Sequence, residues 1–177
     1  TGGYADAKKL YVAQKPFLEK KLDSEGLKLL YSGPWPPQGL YARKELKSID
    51  DLSGLKFRTY NAATSRLAQL IKAVPTQIEA PDIPTAFQTG RVEAMVTSPA
   101  TGVDSKAWDF LTHYHDLKGW QPRNIVFVNK EAFEKLPADQ QKALLTASAA
   151  AEERGWATSE KETERTTKLL ADNKITV

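Results

Sequence analysis

From Pro137 to about Asn173 the chain is Ala-rich and then Glu/Lys-rich, and its helical pattern is interrupted only by Gly155. A helix of more than thirty residues is much longer than the three to four turns usual in globular proteins. It does not fit within one compact lobe of a 177-residue chain. It reads instead as a bridge or brace between two lobes, and the length suits either one domain or two small lobes with a real core.

The segment before it has a different rhythm. Leu55-Lys56-Phe57-Arg58-Thr59 is a short apolar strand that follows a helical stop at Gly54. A helix comes next, with Leu67, Leu70, Ile71 and Val74 on one stripe and Pro75 at its end. Thr76 to Ala80 reads as a strand, Asp82-Ile83-Pro84 opens a helix closed by Gly90, and Val92 to Val96 is a further strand leading into Thr97-Ser98-Pro99. Strand, helix, strand, helix, strand is the order of an open, mostly parallel α/β sheet. Ser48-Ile49-Asp50-Asp51 has capping-box spacing.

Upstream, a helix is expected from about Ala5 to Glu25, with Leu10, Phe17, Leu18 and Leu22 on its apolar stripe and Gly26 as its stop. Leu27 to Ser32 reads as a buried strand. The loop Gly33-Pro34-Trp35-Pro36-Pro37-Gln38-Gly39 is stiffened by prolines and suits a passage between lobes. Downstream, Asn124 to Asn129 is a strongly apolar strand, followed by a short helix near Glu131 to Lys135.

Composition removes several function classes. Bases exceed acids by only three, and the two are interspersed. With no basic-aromatic motif beside them, no nucleic-acid partner is expected. The absence of cysteine excludes disulfides, thiolate metal sites and a thiol nucleophile. No apolar run approaches the ~18 residues a membrane span needs, and no secretory leader is visible. The chain opens on Thr1-Gly2-Gly3 without methionine and closes on Ile175-Thr176-Val177, which reads as the start of a strand. An internal piece of a longer protein is the expectation.

Arg58 is the chemical centre of the reading. A guanidinium at a strand end, at the mouth of a helix, is a permanently charged fork whose donors match both oxygens of a carboxylate. The plainer alternative is a surface arginine paired with Asp50 or Asp51. Trp35 is either a loop anchor on the prolines or an aromatic wall for an acid with an apolar or aromatic body. Tyr60 and Asn61 lie in the turn after Arg58, where Asn61 also suits a helix cap and Tyr60 a filler of space. Ser98 before Pro99 is a good N-cap, and a helix N-terminus facing a ligand favours an anion. His113 and His115, near Asp109 and Asp116, lack a third well-spaced ligand, so no metal is expected.

Gly54-Leu55-Lys56-Phe57-Arg58, the Asn61-Ala62-Ala63-Thr64 turn, Thr85 through Ala94 (TAFQTGRVEA) and Phe127-Val128-Asn129-Lys130 carry a resemblance across nearly all of the chain. It resembles the extracytoplasmic, DctP-type solute-binding proteins of tripartite ATP-independent periplasmic (TRAP) transporters. The resemblance implies a two-lobed periplasmic protein of roughly 300 residues with a long helix spanning both lobes. It also implies a small organic acid as ligand and delivery to membrane permease subunits. By that measure much of the first lobe and a C-terminal tail are missing. The division it suggests is 1–35 in lobe I, 36–122 as lobe II with the arginine, 123–162 returning to lobe I with the connecting helix, and 163–177 as the helix end and the start of a lobe II strand.

Carried over residue by residue, Arg58 matches the carboxylate clamp. Gln38 stands where some members have a second arginine, so one carboxylate is favoured, with a neighbouring keto or hydroxyl oxygen. Thr97 and Ser98 stand where the family often has Asn or a metal-assisting Glu-Trp pair, which removes the acid a bridging metal needs. Trp120 occupies a stretch that often lines the pocket, with a core aromatic as the alternative.

The ligand expected is a monocarboxylate, aromatic or a 2-oxo acid. No cofactor and no catalysis are expected, since G-x-S-x-G, H-E-x-x-H, G-x-G-x-x-G and P-loop motifs are all absent. Two alternatives remain: a binding protein of another transporter or sensor class, and a fragment acting only in interaction or oligomerisation.

Overall fold

Residues 3–177 are described by a computed structural model; Thr1 and Gly2, part of the expected lobe I segment, lie outside the described residues. The chain divides into two compact units, residues 1–35 with 120–161 and residues 36–119 with 162–177.

The first unit holds helix α1 (Tyr4–Ser24), strands β1 (Leu27–Pro34) and β7 (Arg123–Asn129), and helix α5 (Lys130–Glu134). It also holds the first part of α6 (Ala138–Asp172), the 35-residue helix that the sequence pattern predicts. β1 and β7 form an antiparallel ribbon registered from Leu27↔Asn129 to Pro34↔Arg123, with an irregularity between Leu29 and Tyr31. Gly26, at φ 73°, makes the turn between α1 and β1 in a conformation that costs residues with a Cβ.

The apolar stripe expected on α1 is not the buried one. Leu10 and Phe17 are exposed, while Ala7 and Tyr11 are buried. The reason is specific contact: the Tyr11 ring stacks on Trp156 of α6, and its hydroxyl donates to Glu152 at 2.6 Å. The Ser32 amide donates to the same carboxylate oxygen. An aromatic and acid contact, rather than a leucine seam, decides which face packs. On β7 likewise, Ile125 and Phe127 are exposed in spite of their apolarity.

The second unit is built on a five-stranded sheet in the order β4-β3-β5-β2-β6. Its strands are β2 (Gly39–Ala42), β3 (Lys56–Thr59), β4 (Val74–Gln77), β5 (Ala94–Thr97) and β6 (His113–His115). The sheet is mixed: β3 is parallel to β4 and β5, while β2 runs antiparallel to β5 and β6. β2 begins at Gly39, the last residue of the expected loop, and runs through residues to which the sequence pattern assigns no element, while β6 holds the two histidines. Both strands are too short for period-two alternation to show.

Helix α2 (Ala62–Leu70) ends before Val74, which belongs to β4. Leu70 and Val74 are therefore exposed, and the buried face is carried by Thr64 and Ala68. Helix α3 (Ile83–Gln88) and helix α4 (Pro99–Asp104) follow β4 and β5. The core packs Tyr41, Met95 and Tyr114 of the sheet with Ile83 and Phe87 of α3, Leu170 of α6 and Ile175.

Gly102 of α4 is required by a close approach. A Cβ there would lie 2.7 Å from Cζ of fully buried Tyr41. Gly102→Ala therefore overpacks this contact and should cost about 1–3 kcal/mol, read as a lower urea midpoint with an unchanged m-value.

Candidate functional site

The register of the sheet gathers the candidates of the second unit along one edge. Gly39 pairs with Thr97, and Arg58 pairs with Met95. The C-terminal ends of β3 and β5 and the N-terminal end of antiparallel β2 therefore coincide. Arg58, Tyr60, Thr97, Ser98 and Gln38 are delivered there by three separate stretches of chain. In open α/β sheets the carboxyl ends of parallel strands are where ligands bind.

Arg58 is 4% exposed. Its Nε donates to the Ile78 carbonyl at 2.9 Å, and its guanidinium lies 5.0 Å from the centre of the Tyr60 ring. Among the described residues no carboxylate is within ion-pair distance, and the two terminal nitrogens make no hydrogen bond. The surface pairing with Asp50 or Asp51 is not formed. Asp51 accepts instead from the Ser48 and Lys47 amides, and those bonds hold its carboxyl below the usual range. Burial pulls the Arg58 guanidinium below its ordinary value, opposed by Tyr60 and Glu79. An arginine so placed stays charged, so the site holds a desolvated cation with no carboxylate of the described residues on its fork.

Tyr60 is held in turn. Its hydroxyl donates to Gln38 Oε1 at 3.2 Å, and Gln38 Nε2 donates to the Pro36 carbonyl at 3.1 Å. Gln38 is buried, and both ends of its amide engage the protein. Its observed work is to fix Tyr60, the ring that flanks the arginine. The Ile78 and Pro36 carbonyls are backbone groups on which residue type gives no purchase, so sequence reasoning missed them.

Ser98 is the N-cap of α4: Oγ accepts from the Thr101 amide, and its carbonyl accepts from Tyr41. Asn61 is an exposed N-cap of α2, with Oδ1 accepting from the Thr64 amide at 2.9 Å. Thr97 is 4% exposed, and its hydroxyl makes no hydrogen bond among the described residues. Trp35 and Trp120 belong to the first unit, where the Trp35 amide donates to the Pro122 carbonyl. Among the described residues no helix is long and apolar enough to cross a membrane.

Over residues 4–177 the sequence matches the family described as bacterial extracellular solute-binding protein, family 7. The chain belongs to that family. Among solved structures, this DctP-family chain is similar to DctP7 of Bordetella pertussis, an extracytoplasmic solute receptor binding pyroglutamic acid, at 46% identity and a TM-score of 0.96 over 99% of its length. It is similar at 42% identity and a TM-score of 0.95, over 98% of its length, to DctP6 of the same organism, also a receptor binding pyroglutamic acid. A marine metagenome TRAP solute-binding protein specific for pyroglutamate is 37% identical, with a TM-score of 0.95 over 99% of the chain. The chain spans 58% of the length of each of these proteins. Its α/β architecture is that of TRAP solute-binding proteins, here as part of one.

Two variants separate the roles in this DctP-family chain. Asn61→Ala removes a cap and should cost about 1 kcal/mol, seen in thermal or urea unfolding. Arg58→Met should leave the unliganded protein within about 1 kcal/mol of wild type or make it more stable, because relief of desolvation offsets the lost bond to Ile78. A large loss of stability would mean that the guanidinium holds the empty fold together.

Proposed function

We propose that the chain is part of a periplasmic receptor that binds a small organic monocarboxylate without transforming it and hands it to a TRAP permease. Arg58 is the clamp for the carboxylate. The observation that carries the reading is a buried guanidinium whose terminal nitrogens meet no counter-charge among the described residues. An incoming carboxylate supplies both the missing charge and a bidentate partner. The Tyr60 ring, fixed by Gln38, gives the fork a rigid flank. Thr97 adds a hydroxyl at the same edge, and the capping bonds of Ser98 and Asn61 hold the two helix starts beside it. Lobe I is assigned 1–35 and 123–162, and lobe II 36–122 and 163–177, as the resemblance implies.

Pyroglutamate is the preferred ligand. Three relatives at 37–46% identity are described as binding it, and it is a compact acid with one carboxylate beside a ring amide. The single formal charge suits one arginine with Gln38 in place of a second. A thermal-shift panel of pyroglutamate, 2-oxo acids, aromatic acids and dicarboxylates on the full-length protein tests the ligand class. A ligand at one hundred times its dissociation constant should stabilise by about 2.7 kcal/mol. Arg58→Ala leaves a buried carboxylate unpaired, a penalty of about 3–5 kcal/mol, and should weaken binding at least a hundredfold in titration calorimetry. Near-normal affinity in that variant would remove Arg58 from the centre of the site.

A further inference from the structure

Tyr114 gave no functional signal in the sequence, yet its hydroxyl is buried and has no hydrogen-bond partner among the described residues. The residue is 1% exposed, and its ring packs 4.5 Å from that of Tyr41. Buried polar groups are nearly always paired, and an unpaired one needs a reason. Tyr41 shows that pairing is available in this part of the fold, since its hydroxyl donates to the Ser98 carbonyl.

The position of the unpaired hydroxyl supplies the reason. Residues directly opposite one another on neighbouring strands share a face of the sheet. Arg58 is opposite Met95, Met95 opposite Tyr41, and Tyr41 opposite Tyr114. The arginine and the tyrosine thus stand on the same face. The Tyr114 ring leans over Gly39, where a Cβ would meet the hydroxyl oxygen at 2.5 Å. Gly39 is the register partner of Thr97, whose own hydroxyl is without a partner among the described residues. A glycine here admits the tyrosine to the strand end where β3 and β5 deliver the candidate site. β2 lies two strands from β3, a span of about 10 Å, which suits a small ring acid gripped at one end by arginine. Burial, with Asp116 adding, pushes the Tyr114 phenol well above its ordinary range, so it remains a proton donor.

We propose that Tyr114 is a specificity-determining residue whose hydroxyl, beside that of Thr97, donates a hydrogen bond to an oxygen of the acid held at Arg58. The ligand then provides the partner that the fold withholds. This rests on the reading of Arg58 as the carboxylate clamp.

The test uses full-length protein, with Tyr114→Phe, Thr97→Val and Arg58→Ala titrated with pyroglutamate and with cyclopentanecarboxylate, which keeps the acid but lacks the ring carbonyl. Unfolding of each variant without ligand is measured alongside. Tyr114→Phe should leave the empty protein as stable as wild type or more stable, yet weaken pyroglutamate about tenfold or more, with Thr97→Val weakening it less. Loss confined to pyroglutamate assigns the ring carbonyl as acceptor, and equal loss on both acids assigns the carboxylate. Affinity within twofold of wild type in Tyr114→Phe, while Arg58→Ala loses binding, overturns this assignment alone. Retained binding in Arg58→Ala, or no binding by wild type, overturns the clamp and this assignment with it.

Discussion

The second unit buries a positive charge, that of Arg58, with no anion among the described residues in contact with it. A desolvated cation is expensive, and every contact made by Arg58 limits that cost without cancelling it. The Ile78 carbonyl takes one donor, and the Tyr60 ring offers its electron-rich face. Neither brings a formal negative charge. The acids that could neutralise the guanidinium are held elsewhere or stay beyond contact: Asp51 is engaged by the Ser48 and Lys47 amides, and Glu79 acts only at a distance. A site occupied by an internal carboxylate would have to release it before binding an external one. Under the proposed role, a fork free of protein carboxylates avoids that competition.

The mixed sheet makes the arrangement possible. Parallel strands present only their C-terminal ends at this edge, which accounts for Arg58 and Thr97 but not for Gln38. Antiparallel β2 brings its N-terminal end to the same place, so the residue just before it can hold Tyr60, although 22 positions separate them in the chain. Gly39 at the start of that strand then admits the Tyr114 ring. One reversal of strand direction thus joins a loop, a strand end and the turn after it into one wall.

How much of this was legible depends on whether the signal was local. The glycine stops, the long α6 helix and the alternation from Lys56 to Thr97 are written in neighbouring residues, and all are present. Arg58 stood out because an apolar strand ended on a charge, and Asn61 and Ser98 because capping chemistry is confined to a few positions. Long-range pairing was silent. β2 and β6 are four and three residues long, too short to show a period, and they exist because neighbouring strands accept their hydrogen bonds. The apolar stripes of α1 and α2 misled for a related reason: a helix buries the face that finds a partner. For α1 that partner is Trp156 and Glu152, which favours Tyr11 over Phe17. Gln38 was legible as a polar group at the right place, but not as the residue whose amide is spent on Tyr60.

The Thr97 and Tyr114 hydroxyls, as proposed ligand contacts, bear on selectivity as well as affinity. Arginine alone accepts almost any carboxylate, because its fork reads two oxygens and little else. Discrimination among acids of similar size comes from buried donors that go unsatisfied when the wrong ligand binds. In this chain the guanidinium is partly compensated by Ile78 and Tyr60, whereas the buried Tyr114 hydroxyl has no partner among the described residues. The protein therefore has more to lose at the hydroxyls from an ill-matched acid than its size would suggest. In the proposed assignment Arg58 answers for the acid group, and the face shared by Thr97 and Tyr114 answers for the choice among acids.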